Sequence, residues 1–160
     1  MNASMLLFAR ATSRKRQNKE NAMAKNRSTI EQVREFHETY GLPVKTRPDI
    51  SDPKTNALRI NLLAEELDEL KEALDAGDIL ETLDALIDLQ YVLDGAFLSF
   101  GLHNLKDIAF NEVHGSNMSK LGEDGKPIVR ESDGKILKGP NFYQPDLRKF
   151  LDSDICDAAE

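Results

Sequence analysis

Apolar residues recur three and four positions apart through much of the chain, a pattern that predicts helices. Ile30, Val33, Phe36 and Tyr40 form the first stripe. Ser28 and Glu31 open it at the spacing of a capping box, and Gly41 and Pro43 close it. Residues 42–55 hold Pro43, Pro48 and Pro53 and read as an ordered loop. A second helix is expected from about Asn56 to Ala76. Gly77 breaks it, and Asp78 with Glu81 starts a third that runs to about Phe100, before Gly101. A break this short makes the second and third helices antiparallel neighbours. A fourth is expected from Asn104, with Asp107 completing its cap, to about Ser116–Ser119. The period then changes. Pro127–Arg130 and Lys135–Lys138 flank Ser132-Asp133-Gly134, a hairpin pattern. Asp146–Leu151 fits one short helical turn, and no internal repeat is present. The fold expected from this pattern is an all-α bundle of four to five helices with a small C-terminal β-hairpin.

Placing the helices on wheels of 100° per residue separates their faces. In the second helix Leu58, Leu62, Leu63, Leu67, Leu70, Ala73 and Leu74 share one face, and Asp68, Lys71 and Asp75 fall on the solvent side. Glu66 falls near the middle of the apolar face, Glu69 within it and Glu65 at its edge. Glu72 and Asp78 are read as solvated. The third helix is apolar almost all the way round, the pattern of a buried helix, and Tyr91 is read as part of its core. Asp84, Asp88 and Glu81 gather in one strip of that helix.

Net charge conceals this clustering. The chain has 160 residues and a net charge of -7, from 21 Lys+Arg against 28 Asp+Glu. Residues 65–88 alone hold ten acids and the single base Lys71. Burying one carboxylate unpaired is costly, and burying several together costs more. Protein cations or a bound metal must offset that cost, and few basic side chains stand nearby in sequence. Carboxylate oxygens suit hard divalent cations. The cluster contains neither Cys nor His, which argues against zinc, and it lacks the Glu-x-x-His spacing of a di-iron bundle. Mg2+ is the expected ion, with Mn2+ as a substitute.

The remaining composition narrows the class. The acidity argues against sequence-independent nucleic-acid binding. Cys156 is the only cysteine, so no intrachain disulfide framework and no cysteine-based zinc site exist. No uncharged apolar run reaches the ~18 residues of a membrane span. Residues 1–27 carry seven Lys+Arg and one Glu. They read as a basic, disordered leader, as an organelle transit peptide, or as sequence upstream of a start at Met23. The domain is expected over residues 28–151 and a frayed acidic tail over 152–160. A cytoplasmic location is expected, or an organelle if residues 1–27 are a transit peptide.

Glu65-Glu66-Leu67-Asp68-Glu69, followed by Glu81-Thr82-Leu83-Asp84 and by Asp88-Leu89-Gln90-Tyr91-Val92, resembles the all-α NTP pyrophosphohydrolases. These include MazG-like proteins, dimeric dUTPases and phosphoribosyl-ATP pyrophosphohydrolase. Phe110–Lys120 and Gly134–Asn141 resemble later blocks of one MazG-like branch. The resemblance implies Mg2+-dependent hydrolysis of a nucleoside triphosphate to the monophosphate and pyrophosphate. It implies Glu66, Glu69, Asp84 and Asp88 as metal ligands, with Glu81 as a further candidate. Glu65 is assigned either as a ligand or as the base that orients water. Lys120 and Lys138, with Lys135 behind them, are the candidates for the outer phosphates. Asn117 and His114 are candidates for phosphate or sugar, and Tyr143 for stacking on a base or for the core. A homodimer or homotetramer is implied. The alternatives are phosphoribosyl-ATP hydrolysis and a non-enzymatic, metal-binding dimerisation module.

Overall fold

Helix α1 spans Thr29–Tyr40, α2 spans Pro53–Ala76 and α3 spans Ile79–Ser99. A 3-10 turn at His103–Leu105 leads into α4, Lys106–Met118. These elements come from a computed structural model, which describes residues 27–151. The leader expected at 1–27, apart from Arg27, and the tail expected at 152–160 lie outside the described residues. The described fold is all-α, as the apolar pattern predicts.

The helix ends follow from local chemistry. The Glu31 carboxylate accepts from the Ser28 N–H at 2.7 Å and from its hydroxyl at 2.8 Å, so α1 starts where the capping box places it. Helix α2 starts three residues earlier than expected. Asp52 caps it, accepting from the Lys54 N–H at 3.0 Å and the Thr55 hydroxyl at 2.7 Å. Pro53 takes the first helical position, where its missing N–H leaves nothing unpaired. Gly77 ends α2 at φ 68°, a left-handed conformation that suits glycine. Asp78 then caps α3 through the N–H groups of Leu80 at 2.9 Å and Glu81 at 3.2 Å. No side chain caps α4, whose start moves from Asn104 to Lys106 because the chain enters it through the 3-10 turn.

Helices α2 and α3 form an antiparallel hairpin, and α1 lies on α3. Ala73 and Ala85 are both buried near the hairpin turn, and Val33, Ala96, Leu98 and Leu105 fill the other end. The loop after α1 covers the end of α3. Lys45 N–H donates to the Leu98 carbonyl and Asp49 N–H to that of Phe100, both at 3.0 Å. Two polar groups are part of this core. Asp94 is fully buried and accepts from Lys106 and from Gln90 Nε2. His37 is 1% exposed and its Nδ1 lies 2.8 Å from the Pro43 carbonyl. A carbonyl can only accept, so Nδ1 carries the proton and Nε2 is left as an acceptor. Burial pushes the His37 pKa below its usual range, and the neighbouring Arg59 charge lowers it further.

Two expectations need correction. The third helix is not buried on most sides: Ile79 and Leu80 are 82% and 69% exposed, and Leu83, Leu86 and Ile87 are exposed with them. Leu58, Leu67 and Leu74, placed by the wheel on the buried face of α2, are exposed too. Tyr91 is 38% exposed, edge-on to Phe36 with ring centroids 5.7 Å apart. The cause is geometric: two paired helices cover only one stripe of each other, and among the described residues no further layer lies on the outer side of this stretch. The expected hairpin appears as two isolated antiparallel bridges, Leu121 to Pro127 and Val129 to Ile136, with no strand among the described residues. Almost all of residues 121–138 are exposed, so no buried face extends the pairing. Residues 148–151 are helical, within the short turn expected at Asp146–Leu151. Among the described residues no single helix is long and apolar enough to cross a membrane.

Candidate active site

The facing strips of α2 and α3 bring the expected carboxylates together. Glu66 and Asp88 are half-buried, while Glu65, Glu69 and Asp84 are exposed. The Glu66 pKa is raised, first by burial and then by the charges of Glu69, Asp88, Glu65 and Asp84. Those are the four other acids assigned as ligands from the sequence. None of the five has a hydrogen bond or ion pair with a basic side chain among the described residues. The nearest lysine in sequence, Lys71, is held by Asp68 at 2.7 Å on the solvent side.

A groove of about 390 Å³ opens beside this cluster, toward the hairpin turn. Glu69 and Glu72 line it from α2, and Asp78, Glu81 and Asp84 from the α3 side, over Ala73, Ala76 and Ala85. The small alanine side chains leave the space. Glu72 and Asp78, read from sequence as solvated, thus belong to the groove wall, whereas Glu66 and Asp88 stand one turn beyond its lining. Glu72 sits three residues after Glu69, a helical neighbour spacing that marks it in sequence.

Among the described residues, no three Asp, Glu, His or Cys side chains converge closely enough to hold a metal ion by themselves. The donor chemistry nevertheless fits Mg2+. This ion keeps several waters and is usually held by one or two carboxylates together with substrate phosphates, not by an all-protein cage.

The expected phosphate-binding residues form a separate group. The chain bends by 115° between α3 and α4, and Lys106 at the start of α4 ties back to Asp94 on α3. Near the far end of α4 Lys120 Nζ donates to Asn117 Oδ1 at 2.6 Å. Gly139 N–H donates to the Lys120 carbonyl at 3.0 Å, which brings Lys138 alongside. Lys138 Nζ lies over the Phe142 ring, 4.3 Å from its centroid. Tyr143 staples this loop to α4: Ser116 Oγ donates to its carbonyl at 2.7 Å, and its N–H donates to Ser119 Oγ at 3.2 Å. A Cβ at Gly115 would stand 2.4 Å from the Tyr143 hydroxyl, so the ring occupies space that only glycine leaves open. His114 is exposed, and the Lys135 N–H donates to Asp133 at 3.1 Å within the bridged loop. The structure therefore unites the carboxylates with one another, and Asn117 with Lys120 and Lys138. Within one chain it leaves the two groups on different elements.

Sequence reasoning missed Arg59. On the α2 wheel it falls beside Glu66, in the middle of the apolar face, and the structure buries it to 5% exposure. An inward cation on the same face as an inward acid was the available signal.

The sequence profile of the phosphoribosyl-ATP pyrophosphohydrolase family matches residues 33–117, more than half of the chain, and the protein belongs to that family. The uncharacterized protein L479 of Acanthamoeba polyphaga mimivirus is 39% identical over 75 residues, covering 44% of this chain. This chain spans about 30% of the length of that relative. A solved structure, a candidate NTP pyrophosphohydrolase from Exiguobacterium sp. 255-15, is 22% identical, with a TM-score of 0.28. That match covers 83% of this chain and 96% of the other.

Proposed function

We propose that the protein hydrolyses a nucleoside triphosphate to the nucleoside monophosphate and pyrophosphate, with Mg2+ held by the α2–α3 carboxylates. The observation that carries this reading is Glu66: half-buried, without a basic partner among the described residues, and raised in pKa first by burial and then by four other carboxylates. A triphosphate is itself strongly anionic, so this groove would repel it without a cation. Bound Mg2+ reverses the local charge and lowers the pKa of a coordinated water. Glu66, Glu69, Asp84 and Asp88 are the carboxylates that would supply the one or two protein ligands of such an ion, with Glu81 lining the groove. Glu65 accepts the proton of the attacking water or adds a ligand. Water attacks the α-phosphorus, the bond to the bridging oxygen breaks, and pyrophosphate leaves. Lys120 and Lys138 neutralise the outer phosphates, and Asn117 and His114 contact phosphate or sugar.

A panel of canonical and modified nucleoside triphosphates, together with phosphoribosyl-ATP, tests this reading. Pyrophosphate release that depends on Mg2+ or Mn2+ is expected from at least one member. Orthophosphate alone would place the cleavage elsewhere, and metal binding without any turnover would favour a non-enzymatic module.

Assembly as at least a homodimer belongs to the same proposal. The exposed Ile79, Leu80, Leu83, Leu86 and Ile87 make an apolar surface of the kind that a second copy covers. In such an assembly a second copy is the proposed source of the Asn117, Lys120 and Lys138 that meet the phosphates. Light scattering after size exclusion is expected to give at least twice the 18.0 kDa chain mass. A monomer at micromolar concentration would contradict this.

A further inference from the structure

Arg59 is 5% exposed at the junction of α1, α2 and α3, and no carboxylate pairs with it among the described residues. Its Nη2 donates to His37 Nε2 at 3.5 Å, and its Nε is buried without a partner. Asp94, adjacent in sequence to Gly95, is taken up by Lys106 and Gln90 instead. Replacing a buried charge by an apolar side chain of similar volume is often neutral or stabilising. Stability therefore does not account for an arginine here. The backbone also makes room for it. A Cβ at Gly95 would lie 2.9 Å from Arg59 Nη1 and 3.1 Å from His37 Nε2.

The place of this contact gives it a role. Arg59 lies seven residues before Glu66 on α2, and Gly95 lies seven residues after Asp88 on α3. The helices are antiparallel, so both intervals run the same way in space. The Arg59–Gly95 crossing thus sits two turns, about 10 Å, from Glu66 and Asp88 on the same faces. Over two turns a helix moves as a rod, and a slide at the crossing moves the carboxylates equally. We infer that Arg59, seated on Gly95 and held by His37, is a positioning residue. It fixes the register of α2 against α3, and with it the spacing of Glu66 and Asp88 toward a divalent cation. This rests on the metal-dependent reading of the site.

The test uses the full chain without nucleotide, titrated with Mn2+ by electron paramagnetic resonance, alongside thermal melts. Arg59→Met keeps most of the volume and removes the charge. Its Mn2+ dissociation constant is expected to rise about threefold or more, the scale of coupling carried through packed elements, with Tm equal or higher. Unchanged affinity overturns the inference. Weaker binding with a lower Tm also overturns it, because general loosening would explain both. Gly95→Ala is a second route to the same contact and is expected to weaken Mn2+ binding to a similar degree. In the double variant the losses are expected not to add, since both act through one contact, and additive losses overturn the inference. If the wild-type chain binds no Mn2+, the metal reading itself fails. If it binds Mn2+ and Arg59→Met binds equally well, only the inference fails.

Discussion

Glu66→Gln is expected to lower pyrophosphate release about 100-fold or more, the scale lost with a positioned acid, base or ligand. Without metal it is expected to raise Tm. Both effects have one origin. Glu66 is half-buried and its carboxyl is pushed above the usual range by burial and by Glu69, Asp88, Glu65 and Asp84. Glutamine keeps the shape and removes one charge from a set of like charges, so the metal-free fold is relieved. The same charge is what an incoming cation needs. A melt series in chelator and in saturating Mg2+ separates the two conditions. In chelator the variant is expected to be the more stable protein. In Mg2+ the wild type gains, because a ligand that binds only the folded state stabilises it by mass action. Asp75→Asn, on the solvent side of α2, is the control and is expected to change neither property. A Glu66→Gln variant that turns over within a few-fold of wild type would remove Glu66 from the site.

The parts of the fold that were legible in sequence are those set by short-range chemistry. Ser28 with Glu31, Gly77 in its left-handed turn and Asp78 at the start of α3 are each decided within four residues. Asp52 and Pro53 carried an equally local cap, but three prolines in one loop masked it. The helical wheel placed Glu66 correctly because helix period depends on nothing else. It could not say how much of a face is covered, so Leu67, Leu74 and the outer residues of α3 were expected to be buried and are exposed. Coverage depends on which helices reach a given stretch, and the sequence does not display that. The same limit applies to the site. The carboxylates share a hairpin and were found together, whereas Asn117, Lys120 and Lys138 lie beyond a 115° bend that periodicity alone does not reveal. Arg59, His37 and Asp94 are polar residues on apolar faces. Their pairing is long-range, and only the packed structure shows that Asp94 chooses Lys106 over Arg59.

That choice makes Lys106→Met the substitution with the largest expected effect on stability. Asp94 is 0% exposed, while its partner Lys106 retains 22% side-chain exposure. Removing the ammonium strands a carboxylate in the core, with Gln90 Nε2 at 3.0 Å as its remaining partner. Breaking a buried pair from one side costs about 3–5 kcal/mol. In a chain of this size that corresponds to a fall in Tm of roughly 10 °C or more. Asp94→Leu together with Lys106→Met removes both charges and is expected to recover most of the loss, since an apolar pair needs no counter-charge. The contact also joins α3 to the start of α4, with Lys106 Nζ 5.9 Å from the Phe97 ring centroid. Lys106→Met is therefore expected to loosen the angle at which α4 leaves the bundle, and with it the placement of Asn117 and Lys120. Hydrogen exchange along α4 reads this directly. Faster exchange over residues 103–118, beyond the increase that α2 and α3 share through the lower global stability, is the expected result. A loss below about 1 kcal/mol would show that Asp94 is not held as a buried charge, since that is the scale of an ordinary solvated ion pair.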